Sequence, residues 1–325
     1  MLWQQLLLER RRRQGRYALM AVLGLFALIV GLLAIRPVIL QRLALAEVST
    51  VEIPEGEGPI GTDGDDASSS THPRWIARLP TFHIETHEVT NRQYAYCVEA
   101  NVCNPSSDAI ACQAMDSRNN VPVRGLTGRQ AQDYCNWLNR RLPTEIEWER
   151  AARGDTGTRW PWGAAAPSVP AVQMGGPPGT APLTGPLPVD RPGANRSGVG
   201  VSDLIGNVAE WTLSYASQSY DLGRYDQDVW QGNSNGISDT KELALRGGSW
   251  AVQVQSSMDR ESLRTRGTFP EKSGGCGASA AVRCVLPASP PRLPPQPCRS
   301  GHSPMPAYEG EIHANSSPIA QAGCG

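Results

Sequence analysis

Residues 141–154 read RLPTEIEWERAARG, and this stretch decides the local fold. Thr144 followed by Glu147 is a capping box, in which each side chain accepts a hydrogen bond from the other residue's backbone N–H at the start of a helix. Gly154 is suited to end that helix. The packed face of the helix would carry one large aromatic and two small side chains: Trp148, Ala151 and Ala152.

Two further capping boxes predict helices upstream. Thr90 precedes Gln93, and Thr127 precedes Gln130, at the same three-residue spacing. Apolar side chains recur after each box at helical intervals, so each helix should present one stripe to the core, including a cysteine. The first stripe holds Tyr94, Cys97 and Val98, and the second holds Ala131, Tyr134, Cys135 and Leu138.

Composition favours a fold rich in loops and disfavours a helical bundle. Glycine (33) and proline (27) supply 60 of the 325 residues, well above the roughly 12% of ordinary chains. Alternation predicts a strand over 82–85, and residues 53–63 predict a strand followed by a turn. Residues 64–71 are polar and predict a surface loop. Residues 163–200 lack periodicity and predict a long ordered loop, held by an ion or a disulfide.

The N-terminal region carries the longest apolar run. Residues 17–35 contain no charged side chain and would span about 28 Å as a helix, close to the roughly 30 Å of a bilayer's hydrocarbon core. Five arginines stand directly before it: Arg10, Arg11, Arg12, Arg13 and Arg16. By the positive-inside rule they keep that end in the cytoplasm and the rest is exported. We therefore expect a cytoplasmic basic segment at 1–16, one transmembrane helix at 17–35 and a stalk at 36–48.

Two other interpretations of this run are open. A cleaved signal peptide would use the A-x-A triplet at 44–46, but Arg36 and Arg42 separate it from the apolar run, which is also longer than a signal core. A buried core helix is disfavoured because apolar residues continue around all faces of the run. The uncleaved anchor is favoured, giving a single-pass membrane protein with an extracytoplasmic C-terminal domain.

Charge and cysteine content agree with export. The formal net charge is −1, so no general attraction to nucleic acid is expected. Eight cysteines suit an oxidising compartment, and no two form a CxxC pair, so neither a zinc knuckle nor a thioredoxin-type site is indicated. Residues 287–325 include the proline-rich run PPRLPPQP at 290–297 and are expected to form a disordered tail.

Six segments in order resemble the formylglycine-generating enzyme family, the sulfatase-modifying factors. They are EVTNRQY (88–94), RLPTEIEWERAARG (141–154), WPWG (160–163), DLIGNVAEWT (203–212), RGGSW (246–250) and VRCV (282–285). The resemblance covers about residues 50–286 and implies one domain at 49–286. It also implies the family's fold, a C-type-lectin-like α+β domain with much irregular structure.

The same resemblance bears on catalysis. Oxidases of this family use two cysteines shortly after the Gly-Gly-Ser-aromatic motif, whose thiolates bind copper and activate oxygen to convert a substrate cysteine to formylglycine. The matching positions here are Val252 and Ser257, and residues 251–275 contain no cysteine. We therefore expect neither copper nor this oxidase chemistry. The alternative is a formylglycine-generating oxidase with displaced cysteines, with Cys276 as the nearby thiol.

A second enzymatic branch of the family holds a non-haem iron with histidines. It needs a histidine cluster, normally on an additional helical domain. His72, His83 and His87 stand at the start of the domain, with no helical bundle before them. We expect these histidines to be surface or hydrogen-bonding residues.

The resemblance also implies a structural calcium ion, which takes six to eight oxygen ligands. Carried over by position, the ligands would be the side chains of Asp203 and Glu210 and the backbone carbonyls of Gly206 and Val208. The alternative is that Glu210 and Asn207 only hydrogen-bond the loop backbone.

One disulfide is implied by the resemblance, between Cys135 and Cys284. Cys97, Cys103 and Cys112 fall within one insertion. Cys103 and Cys112 are close enough in sequence to close a small loop. One of the three could then reach Cys276 or stay free. Six cysteines are unassigned from sequence: Cys97, Cys103, Cys112, Cys276, Cys298 and Cys324.

Two classes of function follow. The first is a non-catalytic, membrane-tethered module that binds a protein, peptide or glycan, and the second is an enzyme of the family. Aromatic side chains in the polar loop at 214–240 could stack on a ligand, although each could equally pack under its own loop. The candidates are Tyr220, Arg224, Tyr225 and Trp230.

Overall fold

The structure of the chain is a computed structural model. It describes residues 2–61, 74–106, 120–163, 185–189, 196–215, 243–250 and 280–287. The expected polar loop at 64–71 and the expected tail from 288 onward lie outside these residues.

Helices and strands are both present in the described residues. The helices are α1 (Leu2–Ala46), α2 (Asn91–Glu99), α3 (Gly128–Trp137) and α4 (Glu145–Arg153). The strands are β1 (Thr50–Ile53), β2 (Gly56–Ile60), β3 (Trp75–Leu79), β4 (Phe82–Glu85), β5 (Ala209–Tyr215), β6 (Leu243–Arg246), β7 (Ala280–Ala281) and β8 (Val285–Pro287).

The strands form three small sheets. β4 lies between β1 and β8, antiparallel to both. β2 and β3 pair with each other. β5 lies between β6, which is antiparallel to it, and β7, which is parallel. The strands expected at 82–85 and within 53–63 are thus confirmed as β4 and β2, whereas β1 ends at residue 53, where the second expected range begins.

All three predicted capping boxes are present. At Thr90, Thr127 and Thr144 the threonine side chain accepts the backbone N–H three residues on, and that residue's side chain accepts the threonine N–H. Gly154 ends α4 with φ +64°, a conformation that glycine adopts without strain. The predicted stripes face the core, where Tyr94 is 3% and Cys135 is 0% exposed.

α4 is buried along its whole length, including its charged residues. Its acidic side chains are neutralised by arginines from outside and inside the helix. Arg246 donates to Glu145 and Glu149 at 3.1 and 2.9 Å, and Arg153 bonds Glu149 as well. A helix with several ionised groups can be buried in this way because each charge has a partner of opposite sign.

α1 is a single 45-residue helix that includes Pro37. Its part from Arg13 to Ala46 is long and apolar enough to cross a membrane. The helix does not end at residue 35. Residues 36–46 of the expected stalk continue it, and Leu40 and Ala44 are 7% and 0% exposed.

The end of α1 is fixed to the domain by polar contacts as well as by packing. The amide of Gln41 donates to the Trp137 carbonyl at the end of α3. Directly after the helix, Glu47 accepts from Arg92 at 2.9 Å and from the hydroxyl of Tyr96 at 3.3 Å. Ala44 belongs to the same apolar core as α2 and α3. The last turns of α1 are therefore part of the folded domain.

Two disulfides are described. Cys135 and Cys284 are bonded, with Cα atoms 5.6 Å apart, which confirms the pairing that the family resemblance implies. Cys97 is bonded to Cys103. Cys103 is therefore not paired with Cys112, the partner that its sequence spacing also allows. The turn after α2 brings Cys103 back to the helix, since its N–H donates to the Cys97 carbonyl at 3.3 Å. The other cysteines lie outside the described residues: Cys112, Cys276, Cys298 and Cys324.

The two disulfides should differ in their effect on stability, because the free energy depends on the length of chain that each one closes. For separations of 149 and 6 residues, chain entropy gives upper values of about 5 and about 2 kcal/mol. We expect Cys135→Ser/Cys284→Ser to lower the free energy of urea unfolding more than the control Cys97→Ser/Cys103→Ser. Equal losses would mean that the long loop is already constrained in the unfolded chain.

Candidate functional site

Arg283 lies at the centre of the described site. Its side chain is fully buried, and its Nε and Nη2 donate to both carboxylate oxygens of Glu210 at 2.9 and 2.7 Å. Nη1 donates to the carbonyl of Glu85 and Nη2 to that of Ser202, both at 2.8 Å. One guanidinium therefore joins β5, the end of β4 and the loop before β5 to the segment between β7 and β8.

Glu210 connects this guanidinium to α4. Its Oε2 also accepts the indole N–H of Trp148 at 2.8 Å. The ring of Trp148 in turn lies under the guanidinium of Arg246, 5.0 Å from the ring centroid. Trp148 is thus held between an acceptor at its edge and a cation at its face, an arrangement that suits the charge distribution of an indole ring.

The loop before β5 contains a turn with unusual backbone angles. Asp203, Gly206 and Asn207 have φ of +57°, +76° and +57°. The Asn207 side chain accepts the N–H of Leu187 at 2.9 Å and donates to its carbonyl at 3.3 Å. It also donates to Glu88 at 3.4 Å. Asn207 therefore hydrogen-bonds loop backbone. This is the role that the alternative to a calcium site predicts for Asn207.

Gly247 lies against this turn. Its φ is +92°, and a Cβ at this position would lie 2.9 Å from the Leu204 carbonyl oxygen, so glycine is required. The Gly247 carbonyl accepts the Gly206 N–H at 2.8 Å, and the Trp250 N–H donates to the Asn207 carbonyl at 3.0 Å. Trp250, the last described residue after Gly247, therefore lies at the edge of the turn.

Two buried ion pairs adjoin the turn. Glu210 pairs with Arg283, and Glu85 pairs with Arg140 at 3.4 Å. Burial raises the pKa of Glu85 to about 7, and Arg140 opposes that rise. If both carboxylates are ionised, each pair is neutral.

Two further carboxylates, Glu88 and Asp203, are buried at 0% and 1% exposure. The pKa of Glu88 is raised well above its usual range by burial and by the neighbouring Asp203 carboxylate. Among the described residues, Oε1 of Glu88 accepts no hydrogen bond. In the ionised state these two neighbouring carboxylates repel each other in the interior of the domain. Such a site favours a bound cation or a proton.

The family comparison bears directly on these motifs. A family described as the sulfatase-modifying factor enzyme 1-like domain matches residues 40–285. The chain belongs to this family. The matched region begins at residue 40, where α1 enters the core, whereas the domain expected from the sequence begins at residue 49.

Two sequence relatives and one solved structure illustrate the relationship to this family. The hercynine oxygenase of Mycolicibacterium thermoresistibile is 31% identical over 57% of this chain and 48% of its own length. The inactive C-alpha-formylglycine-generating enzyme 2 of Bos taurus is 28% identical over 75% of this chain and 90% of its own length. The structure of PvdO from Pseudomonas aeruginosa matches with a TM-score of 0.57 at 19% identity, covering 74% of this chain and 94% of PvdO. The chain spans about half the length of the hercynine oxygenases it matches.

The structure brings the expected calcium ligands into one region of this sulfatase-modifying-factor domain. Asp203, Gly206 and Val208 lie in the loop before β5, and Glu210 lies near the start of that strand. Both oxygens of Glu210 already accept hydrogen bonds from Arg283. Oε2 also accepts from Trp148, so only Oε1 keeps a lone-pair direction that a calcium ion could use beside the ion pair. Two carboxylates and two carbonyls are donors of the type that a hard cation takes.

The two described histidines, His83 and His87, contact different partners. His83 on β4 faces Glu52 on β1, with 3.7 Å between Nε2 and the carboxylate. The Nδ1 of His87 lies 3.3 Å from the Glu88 carbonyl. In the part of the chain that the structure describes, no group of three His, Cys, Asp or Glu side chains could hold a metal ion. His72 lies outside that part.

Other expected site residues also lie outside the described ranges. They are Val252, Ser257, Cys276, Tyr220, Arg224, Tyr225 and Trp230. Sequence reasoning also missed the electrostatic role of Glu85, Glu88 and Arg283. Each lies in or beside a quoted motif, but only the fold shows that their charges share one interior.

Loss of the Arg283 guanidinium should be far more damaging than loss of an exposed arginine. Arg283→Ala would leave Glu210 buried without its counter-charge, and we expect the free energy of urea unfolding to fall by about 3–5 kcal/mol. Arg78→Ala is the control, because Arg78 and its partner Glu55 are 70% and 58% exposed. We expect it to unfold like the parent chain.

A double variant separates charge from packing. Arg283→Met/Glu210→Leu removes both charges while keeping apolar volume, so it should be more stable than Arg283→Ala. A double variant as unstable as the single one would show that hydrogen bonds to the backbone, rather than the uncompensated carboxylate, account for the loss.

Proposed function

We propose that this protein is a membrane-anchored, extracytoplasmic sulfatase-modifying-factor-like module that binds a protein, peptide or glycan and has no oxidase activity. The observation that carries the proposal is the absence of cysteine from residues 251–275, in a chain that otherwise keeps the family's scaffold motifs. The scaffold contacts of Arg246, Gly247 and Arg283 do not depend on those cysteines.

Ligand chemistry supports this proposal. Copper(I) and oxygen activation require soft thiolate ligands held close together on a rigid segment. Valine offers no ligand atom at position 252, and serine offers a hard hydroxyl at position 257. Cys276 is a single thiol and cannot form a two-thiolate site alone. The name of the bovine relative describes that protein as inactive, and it aligns with most of this chain.

The enzymatic alternative predicts turnover. The full chain, purified in detergent and loaded with copper, would be given oxygen and a peptide containing Cys-x-Pro-x-Arg, the motif that such oxidases recognise. We expect no aldehyde above a copper-only control, measured by hydrazide labelling and mass spectrometry. Aldehyde that disappears in Cys276→Ser would overturn the proposal and identify an oxidase with displaced cysteines.

Burial supports an uncleaved anchor over a cleaved signal peptide. Cleavage at the A-x-A triplet, after Ala46, would remove Leu40 and Ala44 from the core and Gln41 from its contact with α3. The most hydrophobic part of the apolar run before the triplet has no residue buried against the domain, as a lipid-facing helix requires.

One tryptic peptide tests the anchor. Cleavage after Arg42 and Arg74 gives the peptide 43–74, which spans the A-x-A triplet. We expect mass spectrometry of the mature protein to find this peptide intact in the membrane fraction after alkaline carbonate washing. A peptide beginning at Glu47, recovered from a soluble fraction, would contradict the anchor.

We also propose a structural calcium ion at Asp203, Gly206, Val208 and Glu210. The buried carboxylates around the turn support it, since burial and the neighbouring Asp203 carboxylate both disfavour the ionised form of Glu88, and a bound cation would favour it. Asp203 and Asn207 have positive φ angles, which are strained for residues other than glycine. Metal binding would compensate that strain. Neither copper nor iron is part of this proposal.

Calcium should stabilise the fold by mass action. At a free concentration about a thousand times the Kd, binding adds about 4 kcal/mol to the free energy of unfolding. We therefore expect a chelator to lower the Tm and Asp203→Asn to abolish that response, whereas the control Glu55→Gln, an exposed carboxylate, retains it. A Tm that does not respond to chelation of calcium-loaded protein would exclude the site.

A further inference from the structure

We infer that the exposed apolar side of the last turns of α1 lies in the headgroup layer of the bilayer, so that the domain rests directly on the membrane surface. This surface is formed by Val38 and Ile39 and is called the juxtamembrane face. The inference rests on the proposed membrane anchor and adds a second contact with the same membrane.

The end of α1 has two different faces. Leu40 and Ala44, one helical turn apart, are buried in the domain. On the other side, Val38, Ile39 and Leu43 are 52%, 50% and 45% exposed. Their exposure matches that of the apolar run before residue 36, where most large side chains are exposed to a similar degree. The juxtamembrane face is thus a continuation of the surface that the bilayer would cover.

Distance along the helix places this face at the membrane surface. A span ending at residue 35 puts Leu40 five residues further, about 7.5 Å along the axis. The headgroup layer on each side of a bilayer is roughly 5–8 Å thick. Val38 and Ile39 therefore fall within that layer, and the first buried contact of the domain, at Leu40, falls at its outer edge.

Rigidity prevents the domain from moving away. α1 continues through Pro37 without interruption. Its last turns are fixed to α3 through Gln41 and, just beyond the helix, to α2 through Glu47. A flexible stalk would let the domain move away from the bilayer, whereas an unbroken helix anchored at both ends holds it there.

The charges beside this face match a lipid surface. Arg36 and Arg42 are exposed on the same helical segment. Arginine side chains lay their apolar stems along hydrocarbon and reach phosphate groups with their charged ends. Apolar side chains between two arginines suit a layer that is part hydrocarbon and part phosphate. We therefore assign lipid, rather than a second protein chain, as the occupant.

Photo-crosslinking tests the assignment. Benzoylphenylalanine would replace one residue at a time in the full chain, reconstituted into vesicles of phosphatidylcholine and phosphatidylglycerol. The positions are Val38 and Ile39 on the juxtamembrane face, Leu28 within the proposed span, and Ile76 on β3 as an exposed apolar control. Mass spectrometry would identify the lipid and protein adducts.

We expect lipid adducts at Val38 and Ile39 severalfold above those at Ile76. Adducts at Leu28 with only the Ile76 level at Val38 and Ile39 would overturn the inference while leaving the anchor intact. Absence of lipid adducts at all four positions would contradict the anchor itself. Dimers crosslinked through Val38 or Ile39, in place of lipid adducts, would show that a second copy covers the face and would also overturn the inference.

Discussion

The ion pair between Arg283 and Glu210 is the interaction on which the described domain depends. Arg283 lies one residue before Cys284, and its four hydrogen bonds reach β4, β5 and the loop at 196–208. Charges at 0% and 1% exposure cannot be hydrated, so they must be satisfied inside the fold. The Cys135–Cys284 disulfide adds a covalent tie at the next residue, and α4 joins through Trp148. Distant parts of the chain are thereby held in fixed positions relative to one another, although few of the residues involved belong to long helices or strands.

Local features were predictable from sequence, and long-range charge pairing was not. The three capping boxes and Gly154 act within one turn of chain, so their pattern alone identified the helix starts and one end. The family resemblance gave the Cys135–Cys284 bond. Burial of α4 on all sides was missed, because its glutamates and arginines predict an exposed face unless their partners, such as Arg246, are known. The continuation of α1 past residue 35 was missed because Arg36 and Pro37 resemble the end of a helix.

Scaffold and chemistry are separable in this family member. The contacts that fix the turn at 203–208 run through Gly247, Trp250 and Asn207, and the segment expected to carry catalytic thiolates starts only after Trp250. A chain can therefore lose the thiolates without losing the fold. Family membership establishes the scaffold, while activity depends on the few side chains placed on it. In our proposal the fold is retained as a tethered binding module, with the helix that anchors it built into the core.

Copper(I) affinity is the most direct test of the proposal that this domain has no oxidase activity. The wild-type chain, Cys276→Ser and Val252→Cys/Ser257→Cys would each compete with a chromophoric copper(I) chelator under reducing, oxygen-free conditions. We expect the wild type and Cys276→Ser to leave the copper on the chelator, and the double variant to withdraw it, because only that variant has two thiolates on the segment after Trp250. Tight uptake of one copper(I) by the wild type, as strong as that of the double variant and lost in Cys276→Ser, would contradict the proposal that this domain is not an oxidase.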